Sequence, residues 1–238
     1  FYGFRGIADE AMRQLPETPP VVWLPQDEIG NSPTEPALLI EGPYAGQMIH
    51  GDVYHGGIKR VYLESVAGAL QGAVFRFSGG FQGGVNRIKR GPDQALYIGE
   101  IGNPPNWGEV GKAWHGLERL RYRGAPAYEI LRVNATAGGF DLTLTEPLAD
   151  EIAPEPEDLA VLQWFYYPNE QYGGPKIDPT PLAVESLELS DDRRTLQASI
   201  PGLKAGYVVY LALDRRLRGT GGAELWTNEA WYTLNAVP

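Results

Sequence analysis

The sequence predicts an all-β protein. Its 30 glycines and 20 prolines among 238 residues exceed ordinary usage and make turns dense. Between the turns lie many short apolar runs of strand length. Arg60-Val61-Tyr62-Leu63-Glu64 alternates in the way a half-buried antiparallel strand requires. No apolar run reaches about 18 residues, so no membrane-spanning helix is predicted.

Residues 1–20 are expected to be irregular. Arg5 to Gln14 has the composition of one short helix, stopped by Leu15-Pro16 and Pro19-Pro20. Strands are expected at 21–24, 37–40, 46–53, 58–66, 73–77, 85–89, 95–101 and 117–122. The breaks between them carry Asn31-Ser32-Pro33, Gly42-Pro43, Gly56-Gly57, Gly79-Gly80, Gly83-Gly84 and Gly91-Pro92-Asp93, all turn formers. The strands within 46–77 form one antiparallel series and those within 91–122 another. Strand sets at roughly 40-residue spacing are the pattern of propeller blades. A closed propeller needs about four blades or more, so residues 21–124 predict propeller-like blades in an incomplete propeller. Its open edges need cover from the rest of the chain or from another chain.

After Gly124-Ala125-Pro126 the character changes. Residues 128–238 hold strand-like runs at 128–134, 140–145, 162–167, 184–189, 195–200, 207–213 and 231–234. That number of strands in that length predicts an immunoglobulin-like β-sandwich. Trp226 and Trp231 are expected to seal its core.

The formal charge of −10 argues against nucleic acid as a partner, because phosphate binding needs a basic surface. The absence of cysteine excludes disulfides, thiolate metal sites, a Cys nucleophile and covalently attached haem. The opening Phe1-Tyr2-Gly3-Phe4, without a starting Met, suggests a processed protein or a piece of a longer one.

The stretch RGPDQALYIGEIG (residues 90–102) resembles the blade signature of soluble pyrroloquinoline-quinone (PQQ) sugar dehydrogenases and their sorbosone-dehydrogenase-like relatives. HGGIKRVYLE, GAVFRF and NWGEVGKAWHGLERLRY are similar to the last blades of large exported proteins of that type. TEPLADEIAPEPEDLAVLQW and LELSDDRRTLQASIPGLKAGYVVYLAL resemble a bacterial immunoglobulin-like domain. The resemblance implies a periplasmic or extracellular protein. In the quinone enzymes, basic residues shortly before the Gly-Pro-Asp turn reach the cofactor. Here the corresponding stretch offers Asn86, with Arg87 one residue off and expected to face the other side of the strand. Gln94 replaces the usual turn glycine. The cofactor-binding pair is thus expected to be missing, and no cofactor is expected on this chain; PQQ or a metal ion is the alternative.

Three clusters carry chemistry-bearing residues. His50, Asp52 and His55 in HGDVYHGG offer imidazole and carboxylate for a metal or for general acid-base work, against a purely structural His-Asp hydrogen bond. Asn103, Trp107, Trp114 and His115, with Glu100, Asn106 and Glu109, form a loop cluster suited to stacking on and hydrogen-bonding a sugar. The alternative is that both tryptophans pack between the two parts. In QWFYYPNEQYGG, alternation puts Trp164 and Tyr166 on one face and Phe165 and Tyr167 on the other. One pair is core; the other, with Tyr172, is a carbohydrate platform or a packing contact. Nucleophile-elbow, phosphate-loop, dinucleotide and zinc-protease motifs are absent. Ser190-Asp191-Asp192-Arg193-Arg194 reads as a hairpin turn.

The expected role is a non-catalytic binding or assembly module in an exported sugar-dehydrogenase-like system, contacting other protein subunits or glycan. The alternative is part of a PQQ- or haem-linked sugar or aldehyde oxidoreductase.

Overall fold

Fifteen strands in three antiparallel sheets make up the described part of this chain. The computed structural model describes residues 10–16, 18–102, 111–167 and 173–238. The strands are β1 (Pro33–Leu38), β2 (Met48–Asp52), β3 (Ile58–Val66), β4 (Ala69–Ser78), β5 (Gly84–Arg90), β6 (Leu96–Ile101) and β7 (His115–Leu120). They continue as β8 (Ile130–Thr136), β9 (Gly139–Leu144), β10 (Leu159–Phe165), β11 (Ile177–Leu182), β12 (Ser186–Leu189), β13 (Thr195–Ser199), β14 (Tyr207–Leu213) and β15 (Glu229–Leu234). Glu10–Arg13 is the one described α-helical turn, inside the segment where a helix is expected. No helix among the described residues is long and apolar enough to cross a membrane.

The large sheet has eight strands in the order β1-β2-β3-β4-β15-β14-β10-β11. A four-stranded sheet, β12-β13-β9-β8, packs on it, and β5-β6-β7 form a separate three-stranded sheet. No sheet closes on itself. The division of the chain at 124–126 does not divide the hydrogen bonding. β4 pairs with β15 through Val74–Trp231, Ala73–Tyr232 and Gly72–Thr233. The strands of 46–77, expected as a self-contained set, are instead the middle of the large sheet. Strand pairing favours this because it gives the middle of the otherwise free edge of β4 a partner.

The main core lies between the large and four-stranded sheets. Ala73 and Phe75 of β4 join Val209, Leu211, Tyr232 and Leu234 against Ile130, Val133, Phe140, Leu142 and Leu196. A second cluster holds the small sheet to the N-terminal strands through Ile49, Ile58, Val85, Ile88 and Ile98. A third lies on the outer face of the large sheet, where Val22, Trp23 and Leu24 cover Val61, Val74, Trp164, Val208 and Trp231. Residues 21–24, expected as a strand, are thus an irregular strap across a sheet face. Trp231 is fully buried under that strap rather than in the main core.

The sheet edges explain two local features. The outermost strands of the large sheet, β1 and β11, carry Pro33 and Pro36, and Pro179 and Pro181. Proline withholds an N–H and so blocks further pairing at an edge. The same prolines hid β11 from the sequence reading. The edge strand β8 is treated differently. Arg60 donates to the carbonyls of Ile130 (2.6 Å) and Leu131 (2.7 Å), Gln47 donates to Leu131, and Glu64 accepts from the N–H of Ala135. Polar side chains of β3, with Gln47 just before β2, thereby satisfy backbone groups that β8 would otherwise bury unpaired.

The face of β3 that turns inward is therefore its polar one. Arg60, Tyr62 and Glu64 meet β8, while Leu63 is 42% exposed.

Candidate functional site: a cleft between the small sheet and the sandwich

Where β5–β7 meet the two larger sheets, the surface opens into a cleft of about 350 Å³. Its walls are apolar, formed by Leu39, Phe77, Leu96 and Leu120. Its base includes Tyr44 and Glu129, and Arg90, Arg121 and Arg123 stand around it. Trp226 completes one side.

The base is built from the 3-10 turn Gly42–Tyr44. Gly42 has φ +65°, and a Cβ there would lie 2.6 Å from the ring of Tyr122. Glycine is needed both for the left-handed backbone and for the close approach of that ring. Tyr44 is buried and donates its hydroxyl to Glu129 Oε1 at 2.5 Å. Beside them lies Arg60, wholly buried, with its guanidinium carbon 4.4 Å from the ring centre of Phe75 and 4.9 Å from that of Tyr44. Arg60 Nη1 also donates to Gln47 Oε1 at 2.5 Å. Its Nη2 is 3.9 Å from Glu129 Oε2, which has no hydrogen-bond partner among the described residues. Burial raises the Glu129 carboxyl above its ordinary range, opposed by the Arg60 charge and the Tyr44 hydroxyl. Burial and the neighbouring Glu129 likewise raise the Tyr44 hydroxyl. Burial lowers Arg60, yet a guanidinium keeps its proton at any ordinary pH.

The side of the cleft is a fixed aromatic surface. Trp226 is 57% exposed, but its indole Nε1 donates to Phe77 O and its backbone N–H to Tyr128 O, both at 2.8 Å. The ring is pinned at its polar edge and open to solvent over much of its area. This corrects the expectation that Trp226 seals the core.

Among the described residues the cations around the cleft have no carboxylate partners. Arg90 donates to two backbone carbonyls, of Gln94 (2.7 Å) and Leu38 (2.9 Å). Arg121 and Arg123 are exposed and make no hydrogen bond or ion pair with any described residue. On a chain of formal charge −10, this is a local concentration of positive charge.

The residues singled out by sequence lie elsewhere. His50 and Asp52 share β2, but each is engaged locally. His50 is buried, with Nδ1 2.9 Å from Gly51 O, and burial holds its imidazole below the ordinary value. Asp52, fully buried, accepts four backbone N–H groups: Asn31 and Ser32 on Oδ2, Tyr54 and His55 on Oδ1. His55 Nε2 lies 3.4 Å from Asp27 instead. No group of three or more His, Asp or Glu able to hold a metal is found among the described residues. Asp52 thus ties two loops together, and Asp52→Ala is expected to cost roughly 3 kcal/mol by orphaning those donors. Urea unfolding of the variant checks this; a midpoint shift within error would refute it.

Asn86 and Arg87 do not face opposite ways as alternation predicts. The register of β5 on β6 slips between Val85–Glu100 and Arg87–Gly99, so Asn86 sits in a bulge. Arg87 folds back onto it, 3.1 Å from Asn86 Oδ1, at the surface. Gln94 takes the left-handed φ of +64° that the expected turn glycine would adopt. Asp93 of the same turn is held by Arg119, Nε at 2.8 Å.

Trp114 is 64% exposed, so it does not pack between the two parts of the chain, and His115 is exposed at the start of β7. Glu100 accepts the N–H of Gly83 at 2.5 Å, and burial raises its carboxyl. Tyr166 packs beneath the N-terminal strap, its ring centre 4.9 Å from that of Trp23 and tilted 46° to it. Trp164 with Tyr166, and Phe165 with Tyr167, do form the two alternating pairs. Asn103, Asn106, Trp107, Glu109 and Tyr172 lie outside the described residues. None of the described catalytic, metal or ligand-binding candidates lines the cleft, though Gln94 of the Gly91–Gln94 turn does. The side chains that stand out in its lining are Trp226, which the sequence placed in the core, and Arg121 and Arg123, which the sequence did not single out although RYRG carried a visible basic alternation.

Comparison with protein-family models, with curated proteins and with solved structures finds no match to this chain.

Proposed function

We propose that this chain is a non-catalytic binding module whose ligand, a segment of glycan, enters the cleft between the small sheet and the sandwich. The observation that carries this reading is Trp226, a solvent-facing aromatic held rigid by two hydrogen bonds beside a preformed cavity. A ring fixed before binding loses little entropy on meeting a ligand face. Glu41, Ser78 and Gln94 stand in the same lining and supply groups for hydroxyls. In this reading β5–β7 are a blade-like element and the two larger sheets an immunoglobulin-like sandwich extended by β1–β4. The module works in a periplasmic or extracellular sugar-dehydrogenase-like assembly, beside other protein subunits. The oxidoreductase alternative draws on the sequence resemblance, and the positions it points to, Asn86 and Arg87, bond to each other outside the cleft.

Saturation-transfer NMR with a panel of neutral and acidic oligosaccharides tests the reading. Transfer to sugar protons is expected with the native chain and is expected to fall sharply with Trp226→Ala. A panel with no transfer at all would overturn it.

A further inference from the structure

Resting on the glycan reading of the cleft, we infer that its ligand is an acidic oligosaccharide, one built with uronic acid residues. Three observations converge on carboxylated sugar. Arg121 and Arg123 are exposed, unpaired among the described residues and on the cleft lining. Arg90, between them and the Gly91–Gln94 turn, bonds only neutral carbonyls, so its charge also remains uncompensated. Such guanidinium forks match a carboxylate with paired, charge-assisted hydrogen bonds. These cations are gathered on a chain whose overall charge is −10, so they form a local site of attraction for anions on an otherwise acidic molecule.

A bare anion would need no more than the arginines. The rest of the cleft asks for a body. Trp226 presents an open ring face, and the apolar walls at Leu96 and Leu120 exclude water behind it. Glu41, on the lining, repels a ligand that is anionic throughout but accepts hydroxyl donors. A sugar carrying one carboxylate per ring and several hydroxyls meets all of these groups. A polyphosphate or nucleic acid does not, since it has no hydroxyl-rich face to set against Glu41.

Titration calorimetry of the full chain with trigalacturonic acid, and with its carboxyl-reduced neutral trisaccharide, tests the inference. The acidic trisaccharide is expected to bind, and the neutral one about tenfold more weakly or worse. Arg121→Ala/Arg123→Ala is expected to lose that preference. Trp226→Ala is expected to weaken both sugars, and Trp226→Phe to retain most of the affinity. Arg121 and Arg123 are exposed and unpartnered among the described residues, so their loss is expected to leave folding intact, as circular dichroism will report. Equal binding of the two trisaccharides, insensitive to the arginines, would overturn the acidic class and leave the glycan reading in place. Binding abolished by the arginine change but untouched at Trp226 would reduce the cleft to a charged patch and overturn the inference. Binding of neither trisaccharide would overturn it too, and the oligosaccharide panel then decides whether the glycan reading falls with it.

Discussion

Arg60→Met is expected to destabilise the protein by about 3–5 kcal/mol, the range for removing one partner of a buried charged cluster. In a chain of this size that lowers the melting temperature on the order of 10 °C. Arg60 is completely buried and donates to three acceptors, Gln47 Oε1 and the carbonyls of Ile130 and Leu131. Methionine fills the space against Phe75 and Tyr44, so the loss is electrostatic and not a cavity. It leaves the edge of β8 unsatisfied and Glu129 without its counter-charge. Glu129→Gln is the informative companion. It keeps an acceptor for the Tyr44 hydroxyl and removes the charge at Oε2, an atom with no hydrogen-bond partner among the described residues. Its cost is expected to be much smaller. The pH dependence should also change in a defined sense. Burial raises Glu129 above its ordinary 4.5, so the folded chain holds that proton more tightly than the unfolded chain. The stability linked to this group is complete below pH 4.5 and is lost as pH rises through the folded value. Glu129→Gln flattens that segment of the stability curve. An Arg60→Met protein melting with the native one would refute the role of this seam.

The second large effect concerns the union of the two halves. Gly72 sits on β4 opposite both Leu63 of β3 and Thr233 of β15. A Cβ there would lie 1.9 Å from the carbonyl oxygen of Tyr62, a backbone atom that cannot step aside. Gly72→Ala is expected to cost about 3 kcal/mol, at the high end for overpacking. More broadly, residues 18–124 and 127–238 are not expected to fold apart. The second segment alone loses Ala73 and Phe75 from its core and exposes the whole edge of β15. Calorimetry, far-ultraviolet dichroism and tryptophan fluorescence of the full chain should report one coincident transition. A cooperative, native-like melt of residues 127–238 alone would show that the junction is dispensable.

Strand positions were largely legible because period-two alternation and turn residues are local properties. The runs in 58–66, 195–200 and 207–213 fall where strands form, and GPDQ forms the predicted turn. The failures have physical causes as well. β11 was missed because its prolines argue against a strand, and they are tolerated only because it is an edge. The bulge at Asn86 reset which side chains share a face, which alternation counting has no means to see. The His50, Asp52 and His55 cluster looked chemical because imidazole and carboxylate stood close in sequence. Their neighbours decided otherwise, with four backbone N–H groups converging on Asp52.

By itself, then, the sequence determined an all-β chain of short antiparallel strands with an acidic surface, since composition, alternation and turn chemistry act over a few residues. Which strands are neighbours was left to the tertiary structure. β4 meets β15 across more than 150 residues of chain because both strands had a free edge and matching apolar faces to bury. The same long-range choice turned the polar face of β3 inward onto β8 and brought Arg121, Arg123 and Trp226, about a hundred residues apart, to one cleft. Contacts made at such separation depend on edge pairing and shared burial, which no local pattern encodes.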